Sequence, residues 1–195
     1  MMLHIVDDEE VIRDALAFLA QSRGIAACGH ASAQAFLDAA GTRFDAGGDC
    51  VLLDVRMPDI NGVAVFNALS ERGLAARLPV IFLTGHGDVP MAVDTLKRGA
   101  FDFFEKPFND NLLMDRVEQA MAASREAGAA AQVQARLATL SAREREVLDL
   151  ILTGKMNKVV ADQLGISMRT VEVHRANIFD KMQVKTAVEL AGLLK

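Results

Sequence analysis

Five short apolar runs, each followed by a stretch with helical spacing, fill the first 123 residues. The runs are LHIV (3–6), IAACGH (25–30), CVLLD (50–54), PVIFLT (79–84) and FDFFE (101–105). The helical patterns lie at 9–22, 32–39, 62–71, 89–97 and 109–123. The run at 50–54 is unbroken by polar residues until its end, as in a strand buried on both faces. Strand–helix alternation of this kind builds a parallel sheet with helices on both sides. Such sheets bind ligands outside the carboxyl ends of their strands.

Those ends carry the chemistry. The first strand ends at Asp7, Asp8 and Glu9, the third at Asp54, the fourth at Thr84 and the fifth near Lys106. Carboxylates gathered at one rim repel one another and call for a cation. Oxygen-only ligands with an open face suit Mg²⁺, which keeps several waters and binds phosphate. A carboxylate is also a nucleophile able to form an aspartyl-phosphate, with Mg²⁺, Thr84 and Lys106 neutralising the phosphoryl oxygens. Each residue has a plainer role open to it. Asp7 or Asp8 caps a helix beginning near Glu9, Thr84 satisfies a turn, and Phe103 is a core aromatic. Independent capping does not explain why all the others converge.

The segments HIVDDEE, LLDVRMPDING, LTGHGD and EKPF, in this order over residues 1–122, resemble a two-component receiver domain. The resemblance implies a flavodoxin-like fold in which Asp54 accepts a phosphoryl group from a histidine kinase. It implies Asp8 as a direct Mg²⁺ ligand, Asp7 acting through water and the backbone carbonyl of Arg56 as a further ligand. Thr84 and Lys106 would contact the phosphoryl oxygens, the Lys106–Pro107 bond would be cis, and Phe103 would be the switch aromatic that follows Thr84 inward. Haloacid-dehalogenase phosphatases also use a strand-end aspartate, but resemble D-x-D. Arg56 stands where their second Asp would be, so turnover of external phosphate esters is not expected, beyond slow loss of the chain's own phosphoryl group. Arg56 and His86, each two residues past a site residue, are expected to tune that loss.

The last part changes character. Residues 1–125 hold 11 Lys and Arg against 18 Asp and Glu, whereas residues 136–195 hold 10 against 7. This asymmetry points to two domains with different partners. Between them, residues 123–138 are rich in alanine, a strong helix former, and Val133, Leu137 and Leu140 form a partial apolar stripe toward the next domain. Ser141 and Glu144 have capping-box spacing, and Leu140, Val147, Leu148, Ile151 and Leu152 give the following helix an apolar face. A short helix stopped by Gly165 and a longer one opened by Ser167 describe a helix-turn-helix. Val171, Ile178 and Phe179 form the buried stripe of the longer helix. Arg169, Thr170, Glu172, Val173, Arg175, Ala176 and Asn177 remain for DNA or solvent. Glu172 is suited to cytosine, Val173 to a thymine methyl and Arg175 to guanine or phosphate. Lys158, Thr170, His174 and Lys181 are suited to phosphates.

Residues 139–195 resemble the LuxR-type domain through LSAREREVL, NKVVADQLGIS and RTVEVHRANIFDKM. TGHGDVPMAV and RTVEVHRANI together look most like the FixJ subfamily of response regulators. Sigma-factor region four has a similar helical pattern, but the acidic first part argues against it. The expected architecture is a doubly wound five-stranded α/β receiver (1–122), a helical linker (123–138) and a small all-α DNA-binding domain (139–195). The expected function is transcription control: phosphorylation drives homodimerisation, with Val93, Leu96 and Lys97 near the face, or releases the reader domain. Partners would be a sensor histidine kinase, double-stranded promoter DNA and RNA polymerase. The alternative is a phosphorylation-independent DNA-binding protein whose receiver is an interaction module. No apolar stretch approaches the roughly 20 residues of a membrane span, so a cytoplasmic protein is expected, with Cys28 and Cys50 as buried reduced thiols.

Overall fold

The computed structural model describes residues 1–41, 44–85 and 89–194. It divides into two compact units, Met1–Gly128 and Ala129–Lys195. In the first unit the strands are β1 (Met2–Val6), β2 (Ala26–His30), β3 (Asp49–Asp54), β4 (Val80–Thr84) and β5 (Asp102–Glu105). They form one parallel sheet in the order β2-β1-β3-β4-β5. Between them run α1 (Glu10–Ser22), α2 (Ala33–Ala39), α3 (Gly62–Glu71) and α4 (Val89–Lys97), and α5 (Asp110–Ala138) follows β5.

Every residue of β3 is buried, which is why its interior, Cys50 to Leu53, is apolar without alternation. Its side chains alternate between two cores. Val51 and Leu53 pack with Val6, Phe36, Phe66 and Phe82 on one face. Cys50 and Leu52 pack with Ile5, Leu16, Leu113 and Val117 on the other. β2 is an edge strand with mostly exposed residues. This corrects the expectation for the cysteines: Cys50 is buried, but Cys28 is exposed, because an edge strand has a neighbour on one side only.

Asn61 caps α3, its side chain accepting from the Ala64 amide. Gly62 follows because a Cβ there would stand 2.4 Å from the Asp54 carbonyl oxygen. The missing side chain lets α3 begin directly against the end of β3. α5 continues past the expected helix end at 123, through the alanine-rich residues 123–138, as their helix propensity favours.

The second unit contains the remainder of α5, then α6 (Ala142–Leu152), α7 (Asn157–Leu164), α8 (Met168–Met182) and α9 (Ala187–Leu193). Both hydrogen bonds of the Ser141–Glu144 capping box form. Val147, Leu148, Ile151, Val160, Val171, Ile178, Met182 and Leu190 form the core, with Val133 and Leu137 packed against it. Two positions depart from the expected stripes. Leu152 is 40% exposed, since it lies a further 100° around α6 from Ile151, the last core-facing residue. Phe179 is half-buried beside the core, with the Arg175 guanidinium 5.4 Å from its ring centroid.

Candidate phosphoacceptor site and nucleic-acid interface

Parallel strands deliver Asp7, Asp54, Thr84 and Lys106 to one rim because β1, β3, β4 and β5 all end there. Asp7, Asp54 and Thr84 are 1%, 6% and 4% exposed. Lys106 Nζ joins the two carboxylates, lying 2.9 Å from Asp7 Oδ2 and 2.8 Å from Asp54 Oδ1. The remaining oxygens are also engaged. Asp7 Oδ1 accepts from the Glu9 amide at 2.9 Å, and Asp54 Oδ2 from the Arg56 amide at 2.8 Å. The Lys106 backbone amide donates to the Thr84 carbonyl at 2.7 Å, and the Lys106–Pro107 bond is cis.

Burial pushes the Asp54 carboxyl up from its ordinary pKa; the Lys106 hydrogen bond opposes the rise and the Asp7 charge adds to it. Burial alone would lower Lys106, but its hydrogen bonds to Asp54 and Asp7 outweigh that and hold the ammonium above its usual range. Two buried carboxylates against one ammonium leave excess negative charge, and the exposed Asp8 adds to it. This all-oxygen, net-anionic set fits a hard cation such as Mg²⁺. Among the described residues no three His, Cys, Asp or Glu side chains already surround a common metal position; the ammonium bridges the two acids instead.

Thr84 donates from Oγ1 to the Gly85 carbonyl at 3.1 Å. Thr84 and Phe103 line one small cavity of about 10 Å³, with Val55, Phe82, Met91 and Thr95. Arg56 is exposed at the rim. His86, paired with it in the expectation, lies outside the described residues. Sequence reading missed Arg13, whose Nη1 donates to the main-chain carbonyls of Asp7 and Asp8. The only signal was a basic residue one turn into α1.

In the second unit, α7 ends at Gly165 in the left-handed conformation (φ 62°), where glycine carries no Cβ penalty. The chain then enters α8 through Ser167, which caps the Thr170 amide. Arg169, Glu172, Val173, Ala176, Asn177 and Asp180 are all exposed. Their spacing (i, i+3, i+4, i+7, i+8, i+11) makes them a single face, opposite buried Val171, Ile178 and Met182. Val173 is 54% exposed, an apolar residue in the middle of a polar stripe. Lys158 is exposed on α7, while Thr170, His174 and Arg175 are half-buried. Thr170 Oγ1 is paired with Ser167 Oγ at 2.8 Å.

Lys181, expected at a phosphate, has protein partners of its own. Its Nζ lies 2.6 Å from Glu144 Oε2 and 3.2 Å from the Thr139 carbonyl. Glu144 is 4% exposed, so the lysine neutralises a buried capping-box carboxylate. That hydrogen bond, with the one from the Ser141 amide, holds Glu144 below the usual carboxylate range.

Comparison with known proteins agrees with both halves. Residues 3–118 match the response regulator receiver domain, and residues 138–194 match the bacterial regulatory proteins of the luxR family. The chain is 47% identical to the transcriptional regulatory protein FixJ of Azorhizobium caulinodans, covering 98% of this chain and 90% of that one. It is 52% identical to the C4-dicarboxylate transport transcriptional regulatory protein DctR of Rhodobacter capsulatus, covering 98% of each. Among solved structures it resembles full-length FixJ from B. japonicum (41% identity, TM-score 0.59, 98% and 94% covered). It also resembles the response regulator StyR (34% identity, TM-score 0.73, 99% and 97% covered). FixJ and DctR are transcriptional regulatory proteins, and among the described residues no helix is long and apolar enough to cross a membrane. The receiver implies a sensor kinase as partner, and the luxR-family unit implies DNA. The chain belongs to the two-component transcriptional response regulators of the FixJ type, a receiver followed by a luxR-family DNA-binding domain.

Proposed function

We propose that Asp54 is the phosphoacceptor and that its phosphorylation controls transcription. The observation that carries this is the Lys106 ammonium held between buried Asp7 and Asp54 at the carboxyl rim of the sheet. An Asp54 carboxylate oxygen attacks the phosphorus of a phosphohistidine. The P–N bond breaks, the imidazole leaves and an acyl phosphate forms on Asp54. Lys106 exchanges its Asp54 contact for a phosphoryl oxygen, and the Thr84 hydroxyl turns from the Gly85 carbonyl to another. Asp7, Asp8, Asp54 and the Arg56 carbonyl would hold Mg²⁺, which supplies further charge neutralisation at the phosphoryl oxygens. Phe103, sharing a cavity wall with Thr84, follows that movement inward. Arg56 and His86 tune the slow hydrolysis that resets Asp54.

The kinase approaches along a groove of about 790 Å³ between α1 and the start of α5. Ile12, Phe18, Leu19, Pro107 and Phe108 line it together with Lys106, so its occupant lies beside the residue that touches Asp54. Phe18 is 71% exposed there. The apolar lining suits helix-on-helix docking.

Phosphorylation then favours a homodimer near α4, where Val93 and Lys97 are exposed and Leu96 is half-buried. Two DNA-binding units engage half-sites about one helical turn apart, the second contact becoming intramolecular. On each, Arg169, Glu172, Val173 and Asn177 face base edges. Glu172 accepts from a cytosine amino group and Val173 meets a thymine methyl, while Lys158, Thr170, His174 and Arg175 serve phosphates. RNA polymerase is the final partner, and this work belongs to the cytoplasm. Solution mass and DNA affinity, measured with and without acetyl phosphate, test the scheme. A larger species with tighter DNA binding is expected. A constant monomer with unchanged affinity contradicts it and favours the phosphorylation-independent reading.

A further inference from the structure

The acidic turn between β1 and α1 is restrained from one side by a residue outside the acidic set. Arg13 Nη1 lies 2.8 Å from the Asp7 carbonyl oxygen and 2.9 Å from that of Asp8. Its backbone amide donates to the Glu9 carbonyl at 3.1 Å, which roots it in the first turn of α1. Its aliphatic stem runs beside Gly29 of β2, where a Cβ would stand 3.5 Å from Arg13 Cδ. One terminal nitrogen has two N–H groups, and here two successive carbonyls receive them.

The geometric consequence falls on Asp8. The peptide planes on either side of its Cα are rigid units. Fixing the carbonyl of residue 7 and the carbonyl of residue 8 fixes both planes, and with them the direction of the Asp8 Cα–Cβ bond. Asp7 has its carboxylate tied separately, by Lys106 and the Glu9 amide. For the Asp8 side chain, which is exposed, the two flanking planes are the restraint.

We infer that Arg13 is a positioning residue for divalent-cation binding, aiming the Asp8 carboxylate by holding the carbonyls of Asp7 and Asp8. The inference rests on the proposed Mg²⁺ role of Asp7 and Asp8. It has a built-in competitor of opposite sign: a guanidinium beside a cation site repels the cation. If charge alone mattered, removing Arg13 would tighten Mg²⁺ binding. If positioning matters more, removing it weakens binding. Loss of a residue that orients metal ligands typically costs 10- to 100-fold in affinity.

The test is calorimetric titration of the full chain with Mg²⁺ alone, on wild type, Arg13→Met and Arg13→Gln. Both variants lose the charge, and Gln is the milder change should Met fail to fold. The expected result is a dissociation constant raised about 10-fold in each. Binding as tight as wild type, or tighter, in the folded variants overturns the inference. Absence of Mg²⁺ binding by wild type would instead overturn the metal-site reading beneath it.

Discussion

Lys106 Nζ lies 2.8 Å from Asp54 Oδ1 and joins a residue at the end of β5 to one at the end of β3, 52 positions earlier. The contact places a cation where the oxygens of a phosphoryl group would arrive in the proposed transfer to Asp54. Lys106→Met keeps the stem and removes the charge. Losing one such preorganised donor costs about 10²–10³ in rate where it acts on a developing oxyanion. The phosphorylation rate with acetyl phosphate at saturating Mg²⁺ is therefore expected to fall at least about 100-fold. A rate within a few-fold of wild type would show that Lys106 is merely a counter-ion of the resting state.

Phe18 separates kinase docking from chemistry. It is exposed on the α1 groove and is not among the groups at the carboxylates. Phe18→Ser is expected to slow phosphotransfer from the cognate histidine kinase about 10-fold or more, since buried aromatics dominate interface energetics. Phosphorylation by acetyl phosphate should be unchanged. Equal loss with both donors would mean that the substitution damages the receiver itself.

Lys181 gives the opposite kind of test. Its partner Glu144 is nearly buried, while Lys181 itself is about a third exposed. Lys181→Met is expected to lower the stability of the DNA-binding unit by about 1.5–3 kcal/mol, the worth of a hydrogen bond to a charged group; the Ser141 amide still donates to the same oxygen. The slope of log K against log[salt] for DNA binding should stay as in wild type. A slope reduced by about one unit, as for a lost phosphate contact, would restore the DNA role.

His30 predicts an acid-labile receiver. Its Nε2 lies 3.2 Å from His4 Nδ1, and its ring packs edge-on to Phe36. Burial, with a contribution from His4, lowers its pKa to about 4 from the usual 6.5. Between those values the unfolded chain binds the proton and the folded chain does not. Stability therefore falls as pH drops from 6.5 toward 4, by at most about 1.4 kcal/mol per pH unit for one proton. Above pH 6.5 both states are neutral and the effect vanishes. Urea midpoints of His30→Leu should show a shallower fall than wild type over this range. Parallel curves would assign the acid sensitivity to other groups.

How much of this was legible in the sequence depends on the range of the signal. Val51–Leu53 read as a doubly covered strand because burial on both faces leaves no room for alternation, and β3 is buried throughout. Asp54, Thr84 and Lys106 read as one site because parallel strands must end on one side. Ser141 and Glu144 read as a cap because the motif is local, three residues apart, and the box forms. Long-range choices of partner were not legible. Lys181 looks like any lysine near the end of a DNA-reading helix, and only the fold brings it to Glu144, 37 residues earlier. Arg13 reads as a solvated helix charge until the turn before it is folded back. Cys28 reads as a core thiol until the strand order makes β2 an edge.

The measurement that bears most directly on the central claim is a phosphate-affinity gel after incubation with acetyl phosphate, with and without Mg²⁺, on wild type and Asp54→Asn. A slower band that requires Mg²⁺ and disappears in Asp54→Asn is the predicted result. A band that persists in Asp54→Asn, or no band in wild type with either acetyl phosphate or the cognate kinase, would contradict Asp54 as the phosphoacceptor.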